Sequence, residues 1–219
     1  MRRSNFSRLL IGLFLVTGLF LGSVPGSGCA QNQETGDADT TEIQTPAPSS
    51  APTVADTSVE ADVPYVATPN ETVRGMLELA DVSSEDVVYD LGSGDGRIPI
   101  AAAQRYGARG VGIEIKPSLV DRARKNAKLS GVQDQVTFRQ QDLFKADFSE
   151  ATVVTMYLFP EVNLKLRPML FEQLAPGTRV VSHSFDMNGW EPDSTTKVNG
   201  DVLYLWTIPE EVPAHLQEK

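Results

Sequence analysis

The chain has few of the residues that build metal sites and covalent cross-links. Its 219 residues include one cysteine, Cys29, and two histidines. A lone cysteine excludes an internal disulfide, and no group of cysteines and histidines has the spacing of metal ligands, so we expect no bound metal. Stability must therefore come from packing.

Positive charge is also scarce. Nineteen lysines and arginines face 29 acids, which gives a net charge of -10. Because nucleic-acid binding depends on clustered basic side chains that displace counterions, we expect no nucleic-acid partner. With 41% hydrophobic residues at this length, the composition is that of a globular protein with one main core. We expect that protein to be a monomer.

The N-terminal segment has no apolar run long enough to span a bilayer comfortably. The run from Leu9 to Gly22 follows three arginines, a pattern typical of a signal peptide. Small residues before Cys29 resemble a bacterial lipoprotein processing site, so residues 1–29 are predicted to direct export and lipid attachment at Cys29. The alternatives are ordinary cleavage, which gives a periplasmic protein, and an uncleaved N-terminal anchor.

The next segment, residues 30–62, contains no aromatic residue and no lysine or arginine. It is rich in Thr, Ala, Pro, Ser and acids, and such a composition buries too little apolar surface to fold. We interpret it as an acidic linker that joins the membrane tether to a folded domain over residues 63–219.

In the folded domain, apolar strands alternate with amphipathic helices, which indicates a parallel sheet covered on both faces. Strands are predicted over Val87–Asp90, Gly110–Ile115, Val136–Arg139, Ala151–Leu158 and Thr178–Phe185. Helices are predicted over Glu71–Ala80 and Pro117–Leu129, with others near Pro99 and in a stretch that ends at Leu174. Pro168 is expected to start or to kink this last helix. The turn residues Asn199 and Gly200 predict a C-terminal antiparallel hairpin within residues 195–208. The expected fold is an α/β, Rossmann-like three-layer sandwich with a mostly parallel seven-stranded sheet.

The most informative motif, DLGSGDGRI from Asp90 to Ile98, reads as strand, glycine turn and helix. Gly92, Gly94 and Gly96 allow a sharp turn that approaches a ligand closely, with Ser93 between them. The helix that follows can hold a carboxylate at its N-terminus. Asp90 would repel a pyrophosphate but suits an ammonium group, so the loop favours S-adenosylmethionine (SAM) over a dinucleotide.

A second acid follows the next strand. Glu114 stands where the paired hydroxyls of a ribose need a carboxylate acceptor. Taken singly, Asp95 is also explained as a helix cap, Glu114 as a surface residue and Asp142 as a turn residue. Their joint order after successive strands favours SAM binding.

This order resembles that of the class I SAM-dependent methyltransferases. The resemblance implies that Asp142 and the backbone of Leu143 contact the adenine. The segments PYVATP (64–69), YLFP (157–160) and VVS (180–182) are similar to those of mitochondrial methyltransferases that modify a lysine of the ATP synthase c-ring protein, and more distantly to non-SET histone-lysine methyltransferases.

The family resemblance implies a role for the flanking segments. By it, Tyr65, Thr68 and Glu71 border the cofactor and the substrate channel, with Tyr157 and Phe159 in the channel wall. It implies N-methylation of a protein lysine. A small-molecule or lipid acceptor, or a SAM-binding module without turnover, are the alternatives. The aromatic residues are equally explained as core or rim residues, and we interpret His183 as structural.

Overall fold

A computed structural model describes residues 66–217. The predicted signal segment, Cys29, the linker and Tyr65 lie outside this range. Among the described residues, no helix combines the length and the apolar character that crossing a membrane requires.

Seven strands and four α-helices make up the described chain, which also has short 3-10 helices at Leu143–Lys145 and Ala214–Leu216. The helices are α1 (Asn70–Leu79), α2 (Arg97–Tyr106), α3 (Pro117–Leu129) and α4 (Pro160–Gln173). The strands are β1 (Val87–Leu91), β2 (Arg109–Glu114), β3 (Val136–Gln140), β4 (Val153–Met156), β5 (Arg179–His183), β6 (Ser194–Val198) and β7 (Asp201–Thr207).

All seven strands form one sheet in the order β3-β2-β1-β4-β5-β7-β6. Strands β1 to β5 run parallel, and β7 is antiparallel to both β5 and β6. The predicted fold class, with its antiparallel C-terminal hairpin, is confirmed.

The sheet has helices on both faces because its central strands are apolar on both sides. In β1, Tyr89 packs in a cluster with α4, whereas Val88 packs in a cluster with α1 and α2. Helix α3 packs with α2 and β3 in a third cluster. Since successive residues of a strand point to opposite faces, this burial of both sets produces the three layers.

Several predicted boundaries differ from those observed. Strand β4 ends at Met156 and β5 at His183, so Tyr157 and Phe185 lie beyond the ladders. Helix α4 begins at Pro160, where a missing N–H costs nothing, and Pro168 lies inside it. Of the two predictions for Pro168, that it starts this helix is therefore wrong, and that it kinks the helix stays a prediction. The exposed position of Pro168 lets the ring face solvent although it removes one helix hydrogen bond.

The buried carboxylate of Asp86 connects the segments that precede β1 and β4 with the start of β5. Asp86 accepts hydrogen bonds from Ser83, from the Thr152 hydroxyl at 2.6 Å and from Arg179. Arg179 also donates to the carbonyl of Ala80 at 2.6 Å. Burial alone would raise the pKa of Asp86, but the bonds from Thr152 and Ser83 and the charge of Arg179 hold it below the usual value.

We predict that Asp86→Ala lowers the free energy of unfolding by about 2 to 4 kcal/mol at pH 7, because it removes the carboxylate that pairs with the Arg179 guanidinium and accepts from the Thr152 hydroxyl. Urea denaturation measures the loss, with the exposed Glu85→Ala as a control that changes stability little. Since the folded pKa lies below the unfolded one, the difference persists above pH 3.8 and shrinks as the pH falls further. Equal stability of the two variants at pH 7 would contradict this account.

Candidate active site

The sheet order places a crevice beside β1. From β1 the chain crosses to β2 and β3 on one side, whereas β4 and β5 lie on the other side. The connections at the carboxyl ends of β1 and β4 therefore diverge, and such a switch point is where open α/β sheets bind ligands. The glycine turn and Tyr157 follow strand ends at this edge, and Glu114 is the last residue of β2.

The backbone of the glycine turn after β1 has a conformation that residues with a side chain adopt only with strain. Gly92, Gly94 and Gly96 have φ values of 80°, 53° and 80°. A Cβ atom at Gly92 would lie 2.9 Å from Leu158, and one at Gly96 would lie 2.5 Å from the Phe138 ring. Glycine is thus required for both conformation and space. Helix α2 begins directly after Gly96 with no side-chain cap, which suits a carboxylate ligand.

Asp90 lies at the base of this turn and is 3% exposed. Its Oδ1 accepts a hydrogen bond of 2.8 Å from the hydroxyl of Thr155, its register partner on β4. Burial raises the pKa of Asp90 to about 7, and the negative charges of Glu114 and Asp95 add to the effect, which the Thr155 bond opposes. An ammonium group placed here would stabilise the ionised carboxylate.

Glu114 ends β2 and faces the glycine turn. Its two carboxylate oxygens accept backbone N–H bonds from Gly94 and from Lys116, each at 2.9 Å. A carboxylate has about four acceptor positions, so two remain for the hydroxyls of a ribose. The carboxylate is buried, and the two backbone bonds fix its orientation.

An ion pair joins the turn to the segment before α1. Arg97 binds both oxygens of Asp95, at 2.9 and 2.8 Å, and donates to the carbonyl of Thr68 at 2.7 Å. Thr68 is thereby brought next to the glycine turn. Glu71 is exposed in the first turn of α1, close in sequence but solvated.

Two other predicted cofactor residues, Asp142 and Ser93, have different surroundings. Asp142 caps the 3-10 helix that begins at Leu143, accepting from the N–H of Phe144 at 3.0 Å, and its other oxygen lies 3.3 Å from Lys145 Nζ. The Ser93 hydroxyl is buried without a hydrogen bond between described residues. It lies over β2, since a Cβ at Gly112 would come within 2.5 Å of it. The cofactor roles of these side chains remain predictions.

Aromatic side chains flank the crevice on the β4 side. Tyr157 directly follows β4, and its ring packs against that of His183 at the end of β5. The Tyr157 and Phe185 rings are stacked with centroids 6.3 Å apart, and Phe159 meets Phe185 edge-on at 6.1 Å. Phe159 is 41% exposed, so this group reaches the surface. Tyr157 and Phe159 thus both pack against Phe185, and their role as the wall of a substrate channel stays a prediction.

His183 lies beneath Tyr157, with ring centroids 3.9 Å apart. Its Nε2 is 3.2 Å from Asp201 Oδ2, whereas Nδ1 has no hydrogen-bond partner within residues 66–217. The same Asp201 oxygen accepts from the Thr72 hydroxyl at 2.8 Å. Burial lowers the pKa of His183, which favours the neutral ring, although Asp201 opposes the shift.

These residues fit SAM. Within residues 66–217, no positively charged side chain pairs with the buried carboxylate of Asp90, so this carboxylate suits an ammonium group. The uncapped start of α2 suits the carboxylate of the same amino-acid moiety, and the spare acceptor positions of Glu114 suit the ribose.

Comparison with known proteins decides the family. The family model of the ANTKMT methyltransferase domain matches residues 90–194. A protein-lysine N-methyltransferase of Saccharolobus islandicus is 46% identical over 153 residues, which cover 68% of this chain and 95% of that protein. The chain belongs to this family of methyltransferases.

Two further relatives extend the comparison. A lysine N-methyltransferase of Xenopus laevis, named for the C-subunit of ATP synthase, is 35% identical over 67% of this chain, which spans 64% of that protein's length. The crystal structure of an RNA methyltransferase from Salinibacter ruber, in complex with S-adenosylhomocysteine, is 67% identical. It superposes with a TM-score of 0.69 and covers 70% of this chain and 100% of that one. This chain is thus a SAM-dependent methyltransferase, and SAM is its cofactor.

The structure adds residues to this methyltransferase site that the sequence did not indicate. Thr155 is brought to Asp90 by the β1–β4 register, and Asp201 to His183 by the C-terminal hairpin. Arg97 bridges Asp95 and Thr68. Phe185 joins the aromatic group through a turn after β5. Each depends on pairings between distant segments, for which the sequence carries no local signal.

We predict that Asp90→Asn weakens SAM binding about 10- to 100-fold while raising the melting temperature of the free protein at pH 8, since it removes a buried charge. In the native protein, affinity should rise with pH up to about 7, by as much as about tenfold per unit, because the ammonium binds the ionised carboxylate. The variant should lose this dependence. Calorimetric titration with SAM at several pH values measures both effects.

The matched control for this prediction is Asp121→Asn, an exposed carboxylate on α3. It should change neither SAM affinity nor the melting temperature. A native affinity that does not vary between pH 5.5 and 7, or an Asp90→Asn variant that is less stable at pH 8, would contradict the role given to Asp90.

Proposed function

We propose that this methyltransferase transfers the methyl group to the side-chain amine of a protein lysine. Relatives at 46% and 35% identity carry the name of lysine N-methyltransferases. The observation that carries the proposal in the structure is the aromatic group of Tyr157, Phe159 and Phe185, which reaches the surface on the β4 side of the cofactor turn.

The aromatic group suits the chemistry of a lysine acceptor. A lysine ammonium has an ordinary pKa of about 10.4 and must lose a proton before its nitrogen can attack. Apolar surroundings disfavour the charged form and so lower that pKa. Bound SAM supplies an electrophilic methyl group on a sulfonium. The protein contributes alignment of the amine and exclusion of water, and needs no covalent nucleophile.

The charge around the aromatic group also suits a cationic acceptor. Exposed Glu161 lies in the first turn of α4, next to Phe159 and Pro160, and exposed Asp186 directly follows Phe185. These carboxylates attract an approaching ammonium by electrostatic steering. The carboxylates thus favour the first encounter with the charged lysine side chain, and the aromatic rings favour its neutral form after binding.

A second candidate acceptor is RNA. The observation in its favour is the 67% identical structure, which is described as an RNA methyltransferase. Against it stands the net charge of -10, because phosphate recognition draws on basic side chains. We favour lysine on this balance of charge and on the acids beside the aromatic group.

We predict that the full-length chain, incubated with methyl-labelled SAM and separated cellular fractions, labels protein. Acid hydrolysis should return the label as methyl-lysine, while RNA and lipid remain at the background level of a reaction with Asp90→Asn. Label in RNA nucleosides would establish the second candidate, and label in lipid would establish the small-molecule alternative. Either result without methyl-lysine would overturn the lysine proposal.

We further propose that the enzyme is exported and held at a membrane by lipid on Cys29. The support is in the sequence: the arginines before the apolar run from Leu9 to Gly22, the small residues before Cys29 and the acidic composition of residues 30–62. The monomeric state stays a prediction.

The topology can be tested with a C-terminal tag on the full-length chain. We expect protease added to intact cells, or to cells with a permeabilised outer membrane, to remove the tag, and Cys29→Ser to release the protein from the membrane fraction. A tag protected until the inner membrane is lysed would instead support an uncleaved anchor with the enzyme facing the cytosol.

A further inference from the structure

The turn that follows β5 has an unusual backbone. Ser184 has a φ of 66°, in the left-handed region that non-glycine residues rarely occupy. The N–H of Phe185 donates to the carbonyl of His183 at 2.9 Å, so Ser184 is the central residue of a three-residue turn. Such a conformation is strained for a residue with a side chain and persists only where the surroundings enforce it.

Buried groups on three elements enforce this turn. The N–H of Ser184 donates to Val202 of β7 at 2.7 Å, and the Ser182 hydroxyl donates to the carbonyl of Phe185 at 2.6 Å. Asn163 of α4, which is fully buried, directs its amide to the same carbonyl at 3.4 Å and to Ser182 at 3.3 Å. The backbone on both sides of the Ser184 turn is therefore fixed.

The fixed turn determines where Phe185 lies. Its ring is stacked on Tyr157 with an interplanar angle of 17°, and it meets Phe159 at 67°. These are the offset and edge arrangements that aromatic pairs favour. Phe185 thereby links one ring beside the cofactor turn with another that is 41% exposed.

We propose that Phe185 is a specificity-determining residue of the acceptor site, and that the strained Ser184 turn exists to position it. The inference rests on the proposed lysine function. Tyr157, Phe159 and Phe185 form an aromatic recess that takes the methylene chain of the acceptor lysine. A cation is attracted to the face of an aromatic ring, which favours binding of the ammonium before it loses its proton.

Phe185→Leu tests the recess while keeping an apolar side chain at that position. The probe is a synthetic peptide that carries the lysine labelled by the full-length enzyme. We expect its KM, and its dissociation constant for the enzyme saturated with S-adenosylhomocysteine, to rise about tenfold. The affinity for SAM should change less than twofold.

Phe171→Leu is the matched control. Phe171 is a partly buried ring on α4 that packs against Trp190 at 4.5 Å, in the cluster on the opposite face of the sheet. The substitution removes the same atoms, so its effect on stability is comparable, but it should leave the peptide KM and dissociation constant unchanged.

Variants at Ser184 separate a positioning role from a purely structural one. Glycine adopts a positive φ without strain, whereas valine is β-branched and disfavours it. We expect Ser184→Gly to be at least as stable as the native protein, and Ser184→Val to raise the peptide dissociation constant at least about fivefold above the Ser184→Gly value.

Three results would each contradict part or all of the inference about Phe185. A Phe185→Leu variant with peptide constants like those of Phe171→Leu, in an enzyme that methylates lysine, would overturn the inference and leave the proposed function standing. Equal peptide affinity for Ser184→Val and Ser184→Gly would show that the turn does not position the recess. Absence of lysine methylation by the native chain would overturn both.

Discussion

The burial of the Asp90 carboxylate at the glycine turn is the constraint on which the site depends. Asp90 lies near the end of a central strand, close to the negative charges of Glu114 and Asp95, and within residues 66–217 its carboxylate accepts a hydrogen bond from the Thr155 hydroxyl. The unfavourable free energy of an ionised acid there is offset when a cationic group binds. The site is thus destabilised without its cofactor and stabilised with it, as expected for a binding centre rather than for a packing core.

The strands on the two sides of Asp90 divide the crevice into two parts. Strands β1 and β2 lead into the glycine turn and Glu114, where we predict that the cofactor binds, and the N–H groups of Gly94 and Lys116 hold the Glu114 carboxylate. Strands β4 and β5 lead into the aromatic residues that we propose for the acceptor. Because Asp90 and Thr155 are register partners, the shared β1–β4 ladder fixes the position of one half against the other.

Much of the cofactor half was accessible from the sequence, because its signals are local. The glycines stand directly after an apolar strand, and Glu114 ends the next one, so burial pattern and spacing were sufficient. The acceptor half was only partly accessible. Nothing in the sequence around Ser184 indicates a left-handed residue, and the contact of Asp201 with His183 depends on how the hairpin pairs with β5. The start of α4 was also not predicted, because Pro160 begins the helix and Pro168 is accommodated inside it.

Titration of Asp90 tests most directly whether its buried carboxylate binds the ammonium group of the cofactor. In protein labelled with carbon-13 at aspartate carboxyls, assigned by Asp90→Asn, the Asp90 signal can be followed against pH with and without saturating S-adenosylhomocysteine, which carries the ammonium. The account predicts a pKa of about 7 in the free protein and a value below about 6 in the complex. An ordinary value near 3.8 in the free protein, or the same value in both states, would contradict it.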